Sequence, residues 1–315
     1  MEQLFFSLNA TIPIFLMMIL GYILKQIKMV DEPFIKTLNK LNYNVTLPVL
    51  LFRDLSQSDF FRVWDTKYVL FCFLVTLACI IGIWIWAGLC LKDKRILGEF
   101  VQASYRSSAA VMGIAFIQNI YGNSGMAPLM IIGTVPLYNV AAVLVLSFTG
   151  PEAKGLNKQA LKKSVLGILT NPIILGIFVG MLAGSCRLEL PVILSKTVNN
   201  IAVLATPLAL LGLGAGFEGR KAIQLVRPTL IASGAKLVLF PLLFLPLAIL
   251  MGFRNEMLIA LLVMLGAPTT PSCYIMARNM GHDGVLTSGA VVATTFFSSV
   301  TLTLALFILK TFGYV

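Results

Sequence analysis

The chain has 315 residues, of which 58% are apolar and only 12% charged, and it carries a formal net charge of +11. A soluble domain has roughly 25% charged residues, so an ordinary water-soluble globule is excluded. A crossing of a hydrocarbon core about 30 Å thick needs about 20 apolar residues, and ten such helices would use about two thirds of the chain, leaving no room for a sizeable soluble domain.

A charged side chain at mid-bilayer costs about 3 kcal/mol on insertion scales, so charge-free runs mark the spans. In chain order they predict helices over residues 4–25, 33–53, 67–91, 97–120, 125–149, 164–186, 191–216, 227–252, 256–280 and 284–311. The first run follows Met1-Glu2-Gln3 without a basic start and carries Pro13 in its middle, so it reads as a span and not as a cleavable signal. The second tolerates Lys36 and Lys40. Spans four and five come from one charge-free run, 107–151, split by the turn-rich Tyr121-Gly122-Asn123-Ser124-Gly125. The five cysteines (Cys72, Cys79, Cys90, Cys186, Cys273) lie in apolar stretches at spacings that fit neither a zinc site nor a disulfide framework, so no metal or cofactor is expected.

Lys and Arg are distributed unevenly between alternate loops, 13 on one side (Lys25 through Arg278) against 6 on the other (Arg53 through Lys310). The richer side is cytoplasmic, which places both termini outside in a multi-pass protein of the plasma membrane. Scattered in this way, the positive charge reads as a topology signal, and no nucleic-acid partner is expected.

Sliding the sequence on itself by 159 or 160 residues gives ordered matches. Thr11-Ile12-Pro13-Ile14 with Gly21 answers Thr170-Asn171-Pro172-Ile173 with Gly180, and Lys36-Thr37-Leu38-Asn39 answers Lys196-Thr197-Val198-Asn199. Pro48 answers Pro207, while Gly122 and Gly125 answer Gly281 and Gly284. The expected organisation is therefore a five-helix repeat over 1–150, a basic cytoplasmic linker over 151–163 and a second five-helix repeat over 164–315. Five is odd, so the second copy enters from the opposite side, the inverted arrangement of secondary transporters whose sites lie at mid-membrane between broken helices.

Span nine carries such a break openly in Gly266-Ala267-Pro268-Thr269-Thr270-Pro271-Ser272, because each proline removes a backbone donor and clashes with the preceding turn. The freed polar groups need partners, and a ligand can be one. The equivalent stretch of span four, Arg106-Ser107-Ser108-Ala109-Ala110-Val111-Met112 followed by Gly113, has no proline, and a break there rests on the repeat. Arg106 and Lys236 each lie about nine residues inside their spans, roughly 14 Å deep at a rise of 1.5 Å per residue. An ionisable group at that depth points to function, and the two would attract a carboxylate. No Asp or Glu falls in the middle of any predicted span; Glu99, Glu256 and Asp283 lie near ends. That argues against an antiporter of the paired-carboxylate type and for an anionic cargo. His282, the single histidine, falls at a helix end, in a capping or solvated role.

The stretches Asn44-Val45-Thr46-Leu47-Pro48, Thr170-Asn171-Pro172, Pro268 to Ala277 and Thr294 to Ser299 resemble the auxin efflux carrier family, including its bacterial members known as malate or malonate permeases. The resemblance runs over the whole chain. It implies an all-α polytopic membrane protein of ten transmembrane helices, a scaffold of spans 1, 2, 6 and 7 that pairs as a homodimer, and a mobile unit of spans 3–5 and 8–10. The crossing of spans four and nine would form the site for a small organic anion. Where the family usually has Asn, Gly and Pro in span four, this chain has Ser108, Gly113 and Ala115. The expected substrate-binding residues are Arg106, Ser108, Gly113, Lys236, Pro268, Thr269, Thr270, Pro271 and Ser272.

The function expected is a carrier of small organic anions working by alternating access. A sodium-coupled symporter of related fold stays open, because carbonyls and the hydroxyls of Thr269, Thr270 and Ser272 could hold sodium without a carboxylate. An enzyme would need a nucleophile with its base, or paired acids, at mid-depth, and the sequence offers neither.

Overall fold

The computed structural model describes residues 2–57, 64–109, 117, 120, 126–149 and 170–315, with side chains from residue 12 onward. Gly113, the second half of span four, the turn at 121–125, the linker 151–163 and the start of span six lie outside the described residues. Among the described residues there is no strand.

The helices begin where local chemistry starts them. The first, α1 (Glu2–Gln26), tolerates Pro13 within it. In α2 (Glu32–Leu41) the Asp31 carboxylate accepts from the Phe34 amide at 2.8 Å, and Pro33 occupies the first turn, where its missing N–H costs nothing. A π turn over Asn42–Thr46 then leads into α3 (Leu47–Ser56). Asp65 caps α4 (Thr66–Cys90) through the Tyr68 amide, and α5 (Leu97–Tyr105) and α6 (Ala127–Thr149) follow. The Asn171 side chain accepts from the Ile173 amide to start α7 (Pro172–Ser185), so Thr170-Asn171-Pro172 is a helix cap in structural terms. Next come α8 (Val192–Ala215), the short α9 (Gly219–Gln224) and α10 (Val226–Gly234). A second π turn, Ala235–Leu239, joins α10 to α11 (Phe240–Leu250). The chain closes with α12 (Asn255–Gly266), α13 (Ser272–Asn279) and α14 (Val285–Thr311).

The π turns at Asn42–Thr46 and Ala235–Leu239 each end two residues before a proline, Pro48 and Pro241. A proline ring collides with the carbonyl four residues back, and widening the turn by one residue relieves that collision without ending the helix.

Among the described residues, five helical stretches, Thr66–Cys90, Ala127–Thr149, Val192–Ala215, Val226–Leu250 and Val285–Thr311, are long and apolar enough to cross a membrane, and shorter apolar helices lie among them. Large apolar side chains such as Leu16, Leu89, Ile193, Leu242 and Phe296 are exposed on α1, α4, α8, α11 and α14. An apolar surface of that extent belongs against lipid, not water.

Two groups of helices pack most closely. In one, α1 lies along α8 and α3 along α7, with α8 also touching α3. Glycines permit the approach: a Cβ at Gly21 would overlap the Leu211 carbonyl on α8, and one at Gly180 would come within 2.9 Å of the Phe52 backbone on α3. The other group joins α4, α5 and α6 with α10 to α14. Every residue from Leu258 to Ala267 and from Cys273 to Ala277 is buried, so the predicted broken span nine runs through the centre of the molecule.

Candidate binding site at the two helix breaks

Span nine is broken as its prolines require. The helix α12 stops at Gly266, Ala267 is extended with ψ 156°, and helix resumes at Ser272. In span four, α5 stops at Tyr105 and Arg106 is extended with ψ 133°. Arg106, Ser107 and Ser108 are not helical.

The two interruptions bond to one another. The Ser108 amide donates to the Pro268 carbonyl at 2.9 Å. The Ser107 hydroxyl donates to the Val263 carbonyl at 3.1 Å, and the Thr269 hydroxyl to the Ala103 carbonyl at 2.8 Å. The Thr269 amide donates to the Thr294 hydroxyl on α14, and the Gln102 amide nitrogen to the Cys273 carbonyl. An open helix end buried in an apolar core must find such partners. Here each break supplies partners to the other.

Beside this junction is a cavity of about 80 Å³. One wall is α3, α7 and α8, through Leu47, Ile173 and Ala205; the other is the two breaks together with Tyr138 and Asn139 of α6. Arg106, Ser108, Thr270, Pro271 and Ser272 line it. Arg106 is 2% exposed. It donates to the Asn139 side-chain oxygen at 2.8 Å, to the Ser272 hydroxyl at 2.9 Å and to the Met276 sulfur at 2.7 Å. Its Nε is buried without a partner, and none of the ion pairs among the described residues includes it. Among the described residues this buried cation is held by neutral dipoles alone, and the strong bidentate contact of which a guanidinium is capable is unused there.

Of the other predicted residues, Pro268 and Thr269 serve the junction itself, and neither they nor Lys236 are among the described residues lining the cavity. Lys236, in the π turn between α10 and α11, is 1% exposed. Its ammonium donates to the carbonyls of Leu265 at 2.9 Å, Met264 at 3.1 Å and Tyr105 at 3.4 Å. It therefore faces the C-terminal ends of α12 and α5. Gly113 lies outside the described residues.

Asn139 and Asp54 are among the cavity residues that sequence reasoning missed. Asn139 is the hydrogen-bond acceptor that orients Arg106, and a lone amide in the apolar run of span five was the available signal. Asp54, at the end of span two, lines the cavity and pairs with Arg53 at 2.7 Å. The carboxylates and the histidine near helix ends are also more occupied than their positions suggest. Glu99 is buried and accepts from the amides of Gly284 and Thr287, capping the start of α14. His282 is 6% exposed, so it is not solvated; its Nε2 meets the Leu146 carbonyl at 3.0 Å, near the end of α6. All five cysteines are free.

A model of the family described as membrane transport protein matches residues 6–306. The chain belongs to the membrane transport protein family, the family of the auxin efflux carriers. It is 23% identical over 312 residues to a Methanothermobacter thermautotrophicus protein named "Uncharacterized transporter", covering 95% of this chain and 97% of that one. It is 25% identical over 317 residues to a Rhizobium meliloti protein named "Putative malonate transporter", covering 95% and 94%. As a member of the membrane transport protein family the chain is a membrane transporter, and the cavity at its two helix breaks is the candidate place for cargo.

Proposed function

We propose that this transporter is a carrier of small organic anions, carboxylates among them, which works by alternating access with an elevator-like movement. The observation that carries the proposal is Arg106: a guanidinium buried at the meeting of two helix breaks, without an ion-pair partner among the described residues and open to a cavity. A carboxylate entering that cavity would supply the missing counter-charge and a bidentate hydrogen-bond acceptor. The cavity volume of about 80 Å³ suits a small cargo, and the Rhizobium meliloti relative named for malonate belongs to that class.

Arg106 anchors the charge, and Ser108, Thr270, Pro271 and Ser272 complete the contact surface. Pro268 and Thr269 keep the two breaks open and joined. The cavity lies on the seam between the group α1, α3, α7, α8 and the rest of the molecule, where a rigid-body shift of one group would carry a bound anion. The inverted repeat of 1–150 and 164–315 is supported by equivalent contacts. Gly21 and Gly180, matched at the offset of 159, sit against α8 and α3, which belong to the equivalent spans seven and two. In this reading the protein resides in the plasma membrane with both termini outside and pairs with a second copy through spans 1, 2, 6 and 7.

The test is a ligand screen of the purified protein by thermal shift, with mono- and dicarboxylates including malonate and with malonamide as the uncharged control. At least one carboxylate should raise the Tm saturably while the diamide does not. Indifference to every carboxylate, or an equal response to the diamide, would contradict the proposal.

A further inference from the structure

Secondary transporters with broken helices place their coupling cation where unwound carbonyls and half-helix C-termini converge. Here the carbonyls of Tyr105, Met264 and Leu265, from the ends of α5 and α12, converge on one point, and the ammonium of Lys236 occupies it. The partial negative charges of two helix ends meet there, which is favourable ground for a cation. The π turn that carries Lys236 brings it to this point from a third span, and the side chain is fully enclosed.

We propose that Lys236 is a resident cation that stands in for a coupling sodium ion, so that the protein works without sodium, and that removing the ammonium opens a sodium site between the two half-helices. The proposal deepens the carrier reading and rests on it for the meaning of coupling. It assigns Lys236 a positioning role: the side chain holds the two breaks in register from behind while Arg106 faces the cavity. It also bears on the sodium-coupled alternative, since three carbonyls suited to sodium are engaged by an amine covalently part of the chain. The hydroxyls that were candidates for sodium are partly engaged elsewhere: Thr269 Oγ1 donates to the Ala103 carbonyl, and Thr270 and Ser272 lie 3.2 Å apart.

The experiment compares the purified wild type with Lys236→Ala in sodium chloride and in choline chloride at equal ionic strength, read by thermal unfolding without any organic anion. The wild-type Tm should be the same in the two salts. Lys236→Ala should unfold several degrees lower in choline and recover in sodium along a saturable curve, a response that loss of packing alone would not produce. A saturable rise of the wild-type Tm with sodium would overturn the proposal. So would a folded Lys236→Ala protein indifferent to the choice of salt, or one that cannot be obtained folded in either salt, because sodium then does not replace the amine. Since no cargo is present, these outcomes stand apart from the carboxylate screen, whose failure would count against the carrier reading alone.

Discussion

At the scale of single residues, Arg106 and Lys236 show how two cations of similar depth acquire different work. Both were legible as buried charges from their place in apolar spans. Their partners were not, because side-chain direction depends on packing: Arg106 leaves the end of α5 toward Asn139 and Ser272, whereas Lys236 leaves a π turn toward three carbonyls. Replacing Arg106 should therefore act on cargo. Arg106→Gln removes a charge-assisted contact worth about 1.5–3 kcal/mol, or roughly one to two powers of ten in affinity for the best carboxylate. Membrane insertion should be unaffected, since the substitution relieves the desolvation of a cation. Titration of the purified variant with that carboxylate checks this; wild-type affinity would remove Arg106 from the site.

At the scale of helices, the two breaks differ in how they are encoded. In span nine the sequence carries the cause, Pro268 and Pro271 with Gly266 before them, and the helix stops at Gly266 and resumes at Ser272. In span four no proline intervenes, and only the offset of the internal repeat pointed to Arg106-Ser107-Ser108. The cause there is tertiary: the Ser108 amide and the Ser107 hydroxyl are drawn to carbonyls of the other break. The starts of α2 and α4, close to the expected 33 and 67, were legible because the capping carboxylates of Asp31 and Asp65 mark them in local sequence, whereas Asn171 caps α7 inside the span expected from 164. The cavity wall from α3, α7 and α8 was not legible, because it depends on which helices pack together. If the span-nine prolines impose the break, Pro268→Ala combined with Pro271→Ala should favour a continuous helix, which would withdraw the Pro268 carbonyl from Ser108 and bury the groups that face the cavity. We expect an inserted, folded protein whose uptake falls by at least about tenfold, equivalent to a loss of roughly 1.4 kcal/mol or more in the transport barrier. Uptake by proteoliposomes measures it, and wild-type rates in the double variant would show that the break persists without proline.

At the scale of the whole molecule, the account requires an even number of crossings and a seam that moves. Single cysteines in a cysteine-free background, Lys158→Cys, Glu2→Cys and Tyr314→Cys, should label from the cytoplasm at 158 and from outside at the other two. Termini on opposite sides would contradict the five-plus-five organisation. The seam between the two packed groups of helices matters for function because a carrier exposes its site to one side at a time, whereas a channel exposes it to both. Counterflow separates them most directly. Proteoliposomes loaded with the carboxylate that best stabilises the protein, then diluted into a trace of the same compound labelled, should accumulate label transiently above equilibrium, in choline as well as in sodium. Label that enters only to equilibrium, at a rate independent of the anion inside, would contradict the carrier account.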